Sequence, residues 1–128
     1  MATGNIRLLP FQPPEVFVQW MNEAKAFVYA AEEDFGIAAV EAQAAGSPVI
    51  AFGRGGLTET VITGKTGLFF EEQSAESLNA AIDQFERGDL SFDVKAIRKN
   101  AERFTVEKFE KSFTGFVDEK WEAFKDRL

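Results

Sequence analysis

The sequence predicts an α/β protein in which short strands alternate with helices in one parallel sheet. Four apolar runs have strand length, and the segments between them repeat their apolar residues at helical spacing. The predicted strands cover residues 6–9, 26–29, 49–52 and 68–70. Parallel strands need a crossover connection, which is usually a helix. We therefore expect a parallel sheet of about four strands flanked by helices, followed by a helical C-terminus.

Helices are predicted between and after these strands. Their expected ranges are 15–23, 37–45, 57–62, 75–87, 93–103 and 105–127. The first begins after Pro14, whose fixed φ suits a first helical turn, and the last begins after Thr105, a favoured N-cap residue. Residues 1–90 are expected to form the sheet unit, and residues 91–128 to form helices that pack on the sheet or on a partner.

Composition limits the chemistry that the chain can perform. Its 128 residues are one domain by length, and 45% are hydrophobic, which is enough for a core. A formal net charge of -7 argues against non-specific nucleic-acid binding. The sequence has no Cys and no His, which removes thiol chemistry, histidine acid–base catalysis and the common transition-metal sites. Because it shows neither a membrane-length apolar run nor a secretion leader, the expected location is the cytoplasm, including the inner face of the membrane.

The most informative stretch is residues 33–46, which predicts a loop, an Ala-rich helix and a helix stop. Gly36 lets the loop approach a ligand closely, and Gly46 is the expected residue just after the helix. The loop follows the strand predicted at 26–29. Open α/β sheets bind ligands beyond the carboxyl ends of their strands, so this loop is the first candidate site.

Two carboxylates and a helix start give this stretch its predicted chemistry. Glu33 precedes the helix and Glu41 lies more than one turn inside it, so both can face one cleft. Carboxylates at this separation suit two distant hydroxyl groups, an arrangement that a sugar nucleotide presents. The free amides at the helix start suit an anionic or hydroxyl-rich group, and they belong to Phe35, Gly36 and Ile37.

A glycine-rich loop follows the third predicted strand. Gly55 and Gly56 lie in this loop, which is either a plain turn or a second ligand contact at the same sheet edge. Glu59 lies on the short helix that follows. Lys65 and Thr66 do not indicate a P-loop, because no long glycine-spaced loop precedes them and a strand, not a helix, follows.

These residues resemble the family 4, or group 1, retaining glycosyltransferases, which have two Rossmann-like domains in the GT-B architecture. The resemblance covers about residues 5–90 and rests on two glutamates separated by seven residues, with their neighbours. The matching motifs are Glu33, Phe35-Gly36, Glu41-Ala42, Gly46-Ser47-Pro48-Val49-Ile50-Ala51, Gly55-Gly56, Glu59, Gly64 and Gly67. The sequence around Glu33 and Glu41 is most similar to that of the group 1 mannosyltransferases that use GDP-mannose. One departure is Tyr29-Ala30-Ala31, where such proteins often carry Pro-Ser.

The resemblance implies a role for each matched residue. Glu33 is assigned to catalysis, through contact with the donor hexose and positioning of the transition state and not as a nucleophile. Glu41 is assigned to the ribose hydroxyls. The other donor-binding residues are Phe35, Gly36, Ile37, Gly55, Gly56 and Glu59. No metal or cofactor is implied. The implied partners are a nucleotide-sugar donor, expected to be GDP-mannose, and a glycan or lipid-linked acceptor.

The two-domain family that this sequence resembles also has parts that residues 1–90 do not match. Residues 1–90 correspond to the second part of the Rossmann-like donor-binding domain, without its first two strands, its diphosphate-binding basic residues or the acceptor domain. Arg54 and Lys65 are the only basic residues near the predicted cleft, so the isolated chain is expected to show little or no turnover. The open sheet edge predicts a homodimer in preference to a monomer.

Two other classes of function compete with the transferase. A noncatalytic α/β module that binds nucleotide sugars or assembles with partners is supported by the absence of the phosphate-binding half. A flavodoxin-like or response-regulator domain is disfavoured, because the acidic cluster and phosphorylatable Asp expected after the first strand are absent from the sequence.

Overall fold

The computed structural model describes residues 4–127, which contain a parallel three-stranded sheet with helices on both faces. In chain order the elements are α1 (Pro14–Glu23), β1 (Phe27–Tyr29), α2 (Ile37–Ala45), β2 (Val49–Phe52), α3 (Leu57–Thr60), β3 (Gly67–Phe70), α4 (Ala75–Glu86), α5 (Val94–Ala101), a 3-10 turn (Glu102–Phe104) and α6 (Val106–Lys125). The strand order is β1-β2-β3. The predicted α/β class, parallel sheet and helical C-terminus are confirmed.

β2 is the buried centre of the sheet. Its side chains alternate between the two faces, and all four of its residues are buried, so an unbroken apolar run seals both sides. On one face Val49 and Ala51 pack with Met21, Ala39, Ala42, Leu57 and Val61. On the other face Ile50 and Phe52 pack with Leu68, Phe70 and Ala81. The loops that follow β1 and β2 are therefore held at one rigid edge.

α2 begins and ends at glycines with positive φ. Gly36, at the N-cap, has φ 82°, and Gly46, just after the helix, has φ 95°. The Gly46 amide donates to the Gln43 carbonyl oxygen at 2.9 Å, which satisfies a carbonyl that the helix end leaves unpaired. The predicted helix stop is confirmed. A Cβ on Gly46 would also meet Val94 of α5, so α5 packs closely over this turn.

The strand predicted at residues 6–9 is wrong. In the described part of the chain these residues have no regular structure, and Ile6, Leu8 and Leu9 are exposed. A strand is stable only when it pairs with a neighbour and buries a face. β1 is three residues long and offers few backbone groups for pairing, and Pro10 cannot donate at all. The sheet therefore has three strands within the described residues and not about four.

The C-terminal helices are shorter than predicted, and the N-cap expected at Thr105 is confirmed. Asp93 accepts from the Lys95 amide at 3.0 Å to begin α5, and Thr105 accepts from the Lys108 amide at 3.5 Å to begin α6.

The predicted boundary at residue 90 between the sheet unit and the C-terminal helices stays a prediction. The apolar side chains that recur along α6 are exposed to solvent: Val106, Phe109, Phe113, Phe116, Val117, Trp121 and Phe124. No helix in residues 4–127 has both the length and the apolar character needed to cross a membrane.

Candidate functional site

Two predicted site loops meet at the carboxyl edge of the sheet. Glu33 and Gly55 form a parallel backbone bridge, and the Gly56 amide donates to the Glu33 carbonyl oxygen at 2.7 Å. Gly55 has φ 72°, which favours glycine. Gly56 has an ordinary φ, but a Cβ there would overlap the carbonyl of Asp34. The structure thus brings Glu33, Gly55 and Gly56 together at one edge of the sheet.

A cleft of about 330 Å³ opens between the end of β1 and the start of α2. Its lining includes Tyr29 and four of the predicted site residues, Glu33, Phe35, Gly36 and Ile37. No side chain caps the N-terminus of α2. The first turn of this helix therefore presents main-chain donors and the positive end of the helix dipole to the cleft.

Glu33 is held at the mouth of this cleft by Tyr29. The Tyr29 hydroxyl donates a hydrogen bond to Glu33 Oε1, and the Glu33 residue is half-buried. The hydrogen bond to Glu33 is the main reason why the pKa of Tyr29 is raised above its ordinary value, with desolvation and the negative charge of Glu33 adding to it. Since ionising the phenol would remove the donor, the contact keeps Tyr29 neutral and fixes one oxygen of the carboxylate.

Removing the Glu33 carboxylate should therefore lower the pKa of Tyr29. The chain has a single tyrosine, so an ultraviolet titration of phenolate absorbance reports this group alone. We expect the titration of the Glu33→Ala variant to move to lower pH than that of the wild type. Folding raises the pKa of Tyr29 above its value in the unfolded chain. The contribution of the Tyr29–Glu33 hydrogen bond to the free energy of unfolding is therefore complete below the unfolded-state pKa of Tyr29, and it is lost as pH rises through the folded-state pKa. Superimposable curves for the two proteins would show that the contact is absent in solution.

Glu41 and Glu59 do not line this cleft. Glu41 is on the exposed face of α2, where it lines a groove of about 410 Å³ against α1 and another of about 430 Å³ against α5. Glu59 is exposed on α3. The structure therefore groups Glu33 with the loop residues but does not place Glu41 in the same cleft. The ribose role of Glu41 and the donor role of Glu59 stay predictions.

A buried polar network that the sequence interpretation missed supports α2 from behind. The Asn100 side-chain amide donates to Gln43 Oε1 at 2.7 Å and to the Thr60 carbonyl oxygen at 2.8 Å. Gln43 donates to the same Thr60 carbonyl at 3.1 Å. Polar residues at buried helical positions are the signal that could have indicated it, since buried amides need partners. The network ties α2, α3 and α5 together and so fixes the direction in which α2 presents its N-terminus.

The aromatic ring of Phe35 is fixed by a long-range contact. It meets the ring of Phe104 edge-on, with 5.5 Å between the ring centroids. The Phe104 ring also contacts Arg103, whose guanidinium carbon lies 5.0 Å from the ring centroid. No local pattern identifies this pairing, because the two phenylalanines are far apart in sequence. The 3-10 turn after α5 is thus part of the support of the site loop.

Comparison with known proteins identifies relatives of this chain by sequence. The sequence profile of the family described as "Glycosyl transferases group 1" matches residues 1–104. The chain is 39% identical over 80 residues to the D-inositol 3-phosphate glycosyltransferase of Corynebacterium urealyticum, covering 62% of this chain and 19% of that protein. It is 35% identical over 105 residues to the protein of the same name from Jonesia denitrificans, covering 79% and 24%. For the protein of that name from Rhodococcus jostii it is 34% identical over 107 residues, covering 81% and 24%. The chain spans about a fifth to a quarter of the length of these relatives.

Proposed function

We propose, from the premise that this chain belongs to the glycosyl transferases group 1 family, that its cleft binds the hexose of a nucleotide-sugar donor. The observation that carries the proposal is the convergence of the Glu33 loop and the Gly55–Gly56 loop beside the N-terminus of α2. That place is where open α/β sheets bind ligands. In an enzyme that contains this segment, the hexose would pass to an acceptor with its anomeric configuration retained, and GDP-mannose is the donor that we propose.

Glu33 has the central role in this proposal. Its Oε1 is held by Tyr29, which leaves the other carboxylate oxygen to accept from a hydroxyl of the hexose. The amides at Phe35, Gly36 and Ile37 would donate to the sugar or to its phosphate. Such fixed groups lower the barrier by holding the reacting atoms in place, so no protein nucleophile is required. Glu41 would accept from the ribose hydroxyls and Glu59 would complete the donor site.

The acceptor is proposed as a class. A glycan or a lipid-linked acceptor is the expectation from the family resemblance. The relatives are named for D-inositol 3-phosphate, so a phosphorylated inositol is the third acceptor to test. These three acceptors differ in charge and apolar character, and a single panel of transfer assays separates them.

A noncatalytic binding module is the second candidate function. It is favoured by the charge of the cleft, since among the described residues that line it Glu33 and Asp34 are acidic and none is basic. Arg54 lies over the ring of Phe52, with 5.7 Å from its guanidinium carbon to the ring centroid, and does not line the cleft. Departure of a nucleoside diphosphate builds negative charge that needs positive partners. Donor binding without transfer is thus the activity proposed for the isolated chain.

Calorimetry with the isolated chain tests the binding site. We expect GDP-mannose or a UDP-sugar to bind to the wild type and to bind more weakly to Glu33→Gln. Glu122→Gln on α6 makes the same change of charge at an exposed ion pair with Lys125 and should bind like the wild type. No heat with any nucleotide sugar, or equal affinities for wild type and Glu33→Gln, would reject the proposed site.

A transfer assay separates the two candidate functions. With donor, each acceptor class and the 128-residue chain alone, we expect turnover at least about a thousandfold below that of a full-length family enzyme, because the phosphate-neutralising groups are not at this cleft. Turnover comparable with that of the full-length enzyme would contradict this expectation and would reject the binding-module function.

A further inference from the structure

The ring of Phe104 contacts the candidate site from outside the cleft. Phe104 ends the 3-10 turn after α5 and lies outside the described lining of the cleft, whereas Phe35 lines it. The two rings meet at 81°, with 5.5 Å between their centroids, which is the edge-to-face arrangement that aromatic pairs favour. Phe35 is 44% exposed, so this contact restrains a side chain that is otherwise open to solvent. Phe104 can therefore act on the cleft through Phe35.

Phe35 lies in the turn from which α2 starts. The next residue, Gly36, has φ 82°, and its carbonyl oxygen accepts from the Ala39 amide at 3.0 Å. A Cβ added to Gly56 would be only 2.7 Å from the Cα of Phe35, so the loop after β2 packs against this backbone. The backbone of Phe35 is thus held on one side, and its ring is held by Phe104. Rotation of Phe35 would turn the free amides at the start of α2, which are the proposed donors to the ligand.

Phe104 is itself tied to the buried polar network. The Arg103 guanidinium carbon lies 5.0 Å from the centroid of the Phe104 ring, which is a cation–π distance. Arg103 Nη1 donates to Asn100 Oδ1 at 2.8 Å, and the buried Asn100 donates to Gln43 of α2. Satisfied buried polar networks make a core rigid. The contacts therefore run without a gap from the inside of α2 to the ring of Phe35.

We infer that Phe104 is a positioning residue of the donor site, because its ring holds Phe35 and thereby orients the main-chain amides that begin α2. The inference rests on the proposed function for the identity of the ligand. Without the ring of Phe104 the turn would adopt several conformations, and a donor would have to order it on binding. That cost applies equally to the ground state and the transition state, so it raises KM and leaves kcat nearly unchanged.

Hydrogen exchange of the ligand-free chain tests whether Phe104 holds the turn. Two reporter amides are available, because the Ala39 amide donates to the Gly36 carbonyl oxygen and the Gly56 amide donates to the Glu33 carbonyl oxygen. We expect Phe104→Leu to speed the exchange of both reporter amides by about two- to tenfold, the range that an aromatic pair contributes. Phe104→Tyr keeps an aromatic ring and should exchange like the wild type. Unchanged exchange in Phe104→Leu would overturn the inference.

Phe92→Leu is the matched control. Phe92 is half-buried, like Phe104, and its ring lies 5.8 Å from that of Phe85 in the core cluster on the other face of the sheet. The same substitution there should lower stability and leave the reporter amides unchanged. Equal acceleration in both variants would mean that general loss of stability controls the turn, which would also overturn the inference. If Phe104→Leu does not fold, Arg103→Met decides: it removes the exposed guanidinium that holds the ring and should speed the same two amides, and no effect would count against Phe104.

Calorimetry with GDP-mannose and with UDP-glucose tests whether the turn serves a donor. Phe104→Leu should raise the dissociation constant by about two- to tenfold, whereas Phe104→Tyr and Phe92→Leu should bind like the wild type. In a full-length enzyme that carries this segment, Phe104→Leu should raise the donor KM by a similar factor and keep kcat within about twofold. Equal affinities in Phe104→Leu and the wild type, or a loss confined to kcat, would overturn this inference alone. No binding of either nucleotide sugar by the wild type would reject the proposed function and this inference together.

Discussion

Replacing Glu33 by glutamine in a full-length enzyme that carries this segment should lower kcat by about a hundredfold or more. Glutamine keeps one acceptor oxygen, which Tyr29 would hold, and puts a donating amide where the proposed contact with the hexose needs an acceptor. The Tyr29 hydroxyl holds Glu33 Oε1, so the carboxylate is preorganised before a donor arrives. A group that acts mainly in the transition state affects kcat more than KM. Steady-state kinetics with the donor varied at a saturating acceptor concentration measures the two parameters separately.

The neighbouring carboxylate supplies the control for this experiment. Glu32 is exposed and does not line the cleft, so Glu32→Gln changes the charge equally but should keep kcat within about twofold of the wild type. Equal rates for Glu33→Gln and the wild type would remove Glu33 from the reaction. Equal losses in both variants would mean that local charge, and not contact with the hexose, governs the rate.

Gly56→Ala should destabilise the fold by about 3 kcal/mol, because overpacking at a rigid contact is costly. Gly56 has φ -63° and ψ -20°, which alanine adopts without strain. The added methyl would overlap the Asp34 carbonyl and would crowd the Cα of Phe35, so the effect is steric. The Glu33 loop must then move away from the loop after β2. Urea unfolding followed by circular dichroism measures the change.

Gly115→Ala is the matched control. Gly115 lies inside α6, and a Cβ added there would have no neighbouring atom within 4 Å, so the same methyl group meets open space. We expect this variant to be more stable than the wild type by up to about 1 kcal/mol, since alanine favours helix over glycine. If Gly56→Ala unfolds at the same urea concentration as the wild type, the two site loops do not make the contact described.

The sequence predicted the parts of the fold that are encoded locally. Gly36 and Gly46 lie at the two ends of α2, where the backbone adopts a positive φ that favours glycine. Such positions can be recognised in the sequence as glycines at the two ends of an Ala-rich run. The predicted N-cap of α6, Thr105, is equally local. The apolar run at 49–52 indicated a strand, and the structure places that strand at the buried centre of the sheet.

Features that depend on distant partners could not be predicted in the same way. Residues 6–9 have strand composition, but a strand also needs an edge that accepts it, and β1 is too short to do so. The hydrogen bonds of Asn100 to Gln43 and the contact of Phe104 with Phe35 join residues that are far apart in the chain. The sequence placed the two glutamates in one stretch, but helix geometry and the packing of α2 decide which cleft each one lines.

The double-sided burial of β2 has a consequence for how the molecule opens. Its backbone amides pair within a sheet whose two faces are sealed, so their protons should exchange with deuterium only when the whole domain unfolds. The loops at 30–36 and 53–56 extend from the end of this sheet and contain exposed residues, so their protons should exchange through small local fluctuations. A bound donor would therefore slow deuterium uptake in the two loops most strongly, which gives a residue-level footprint of occupancy.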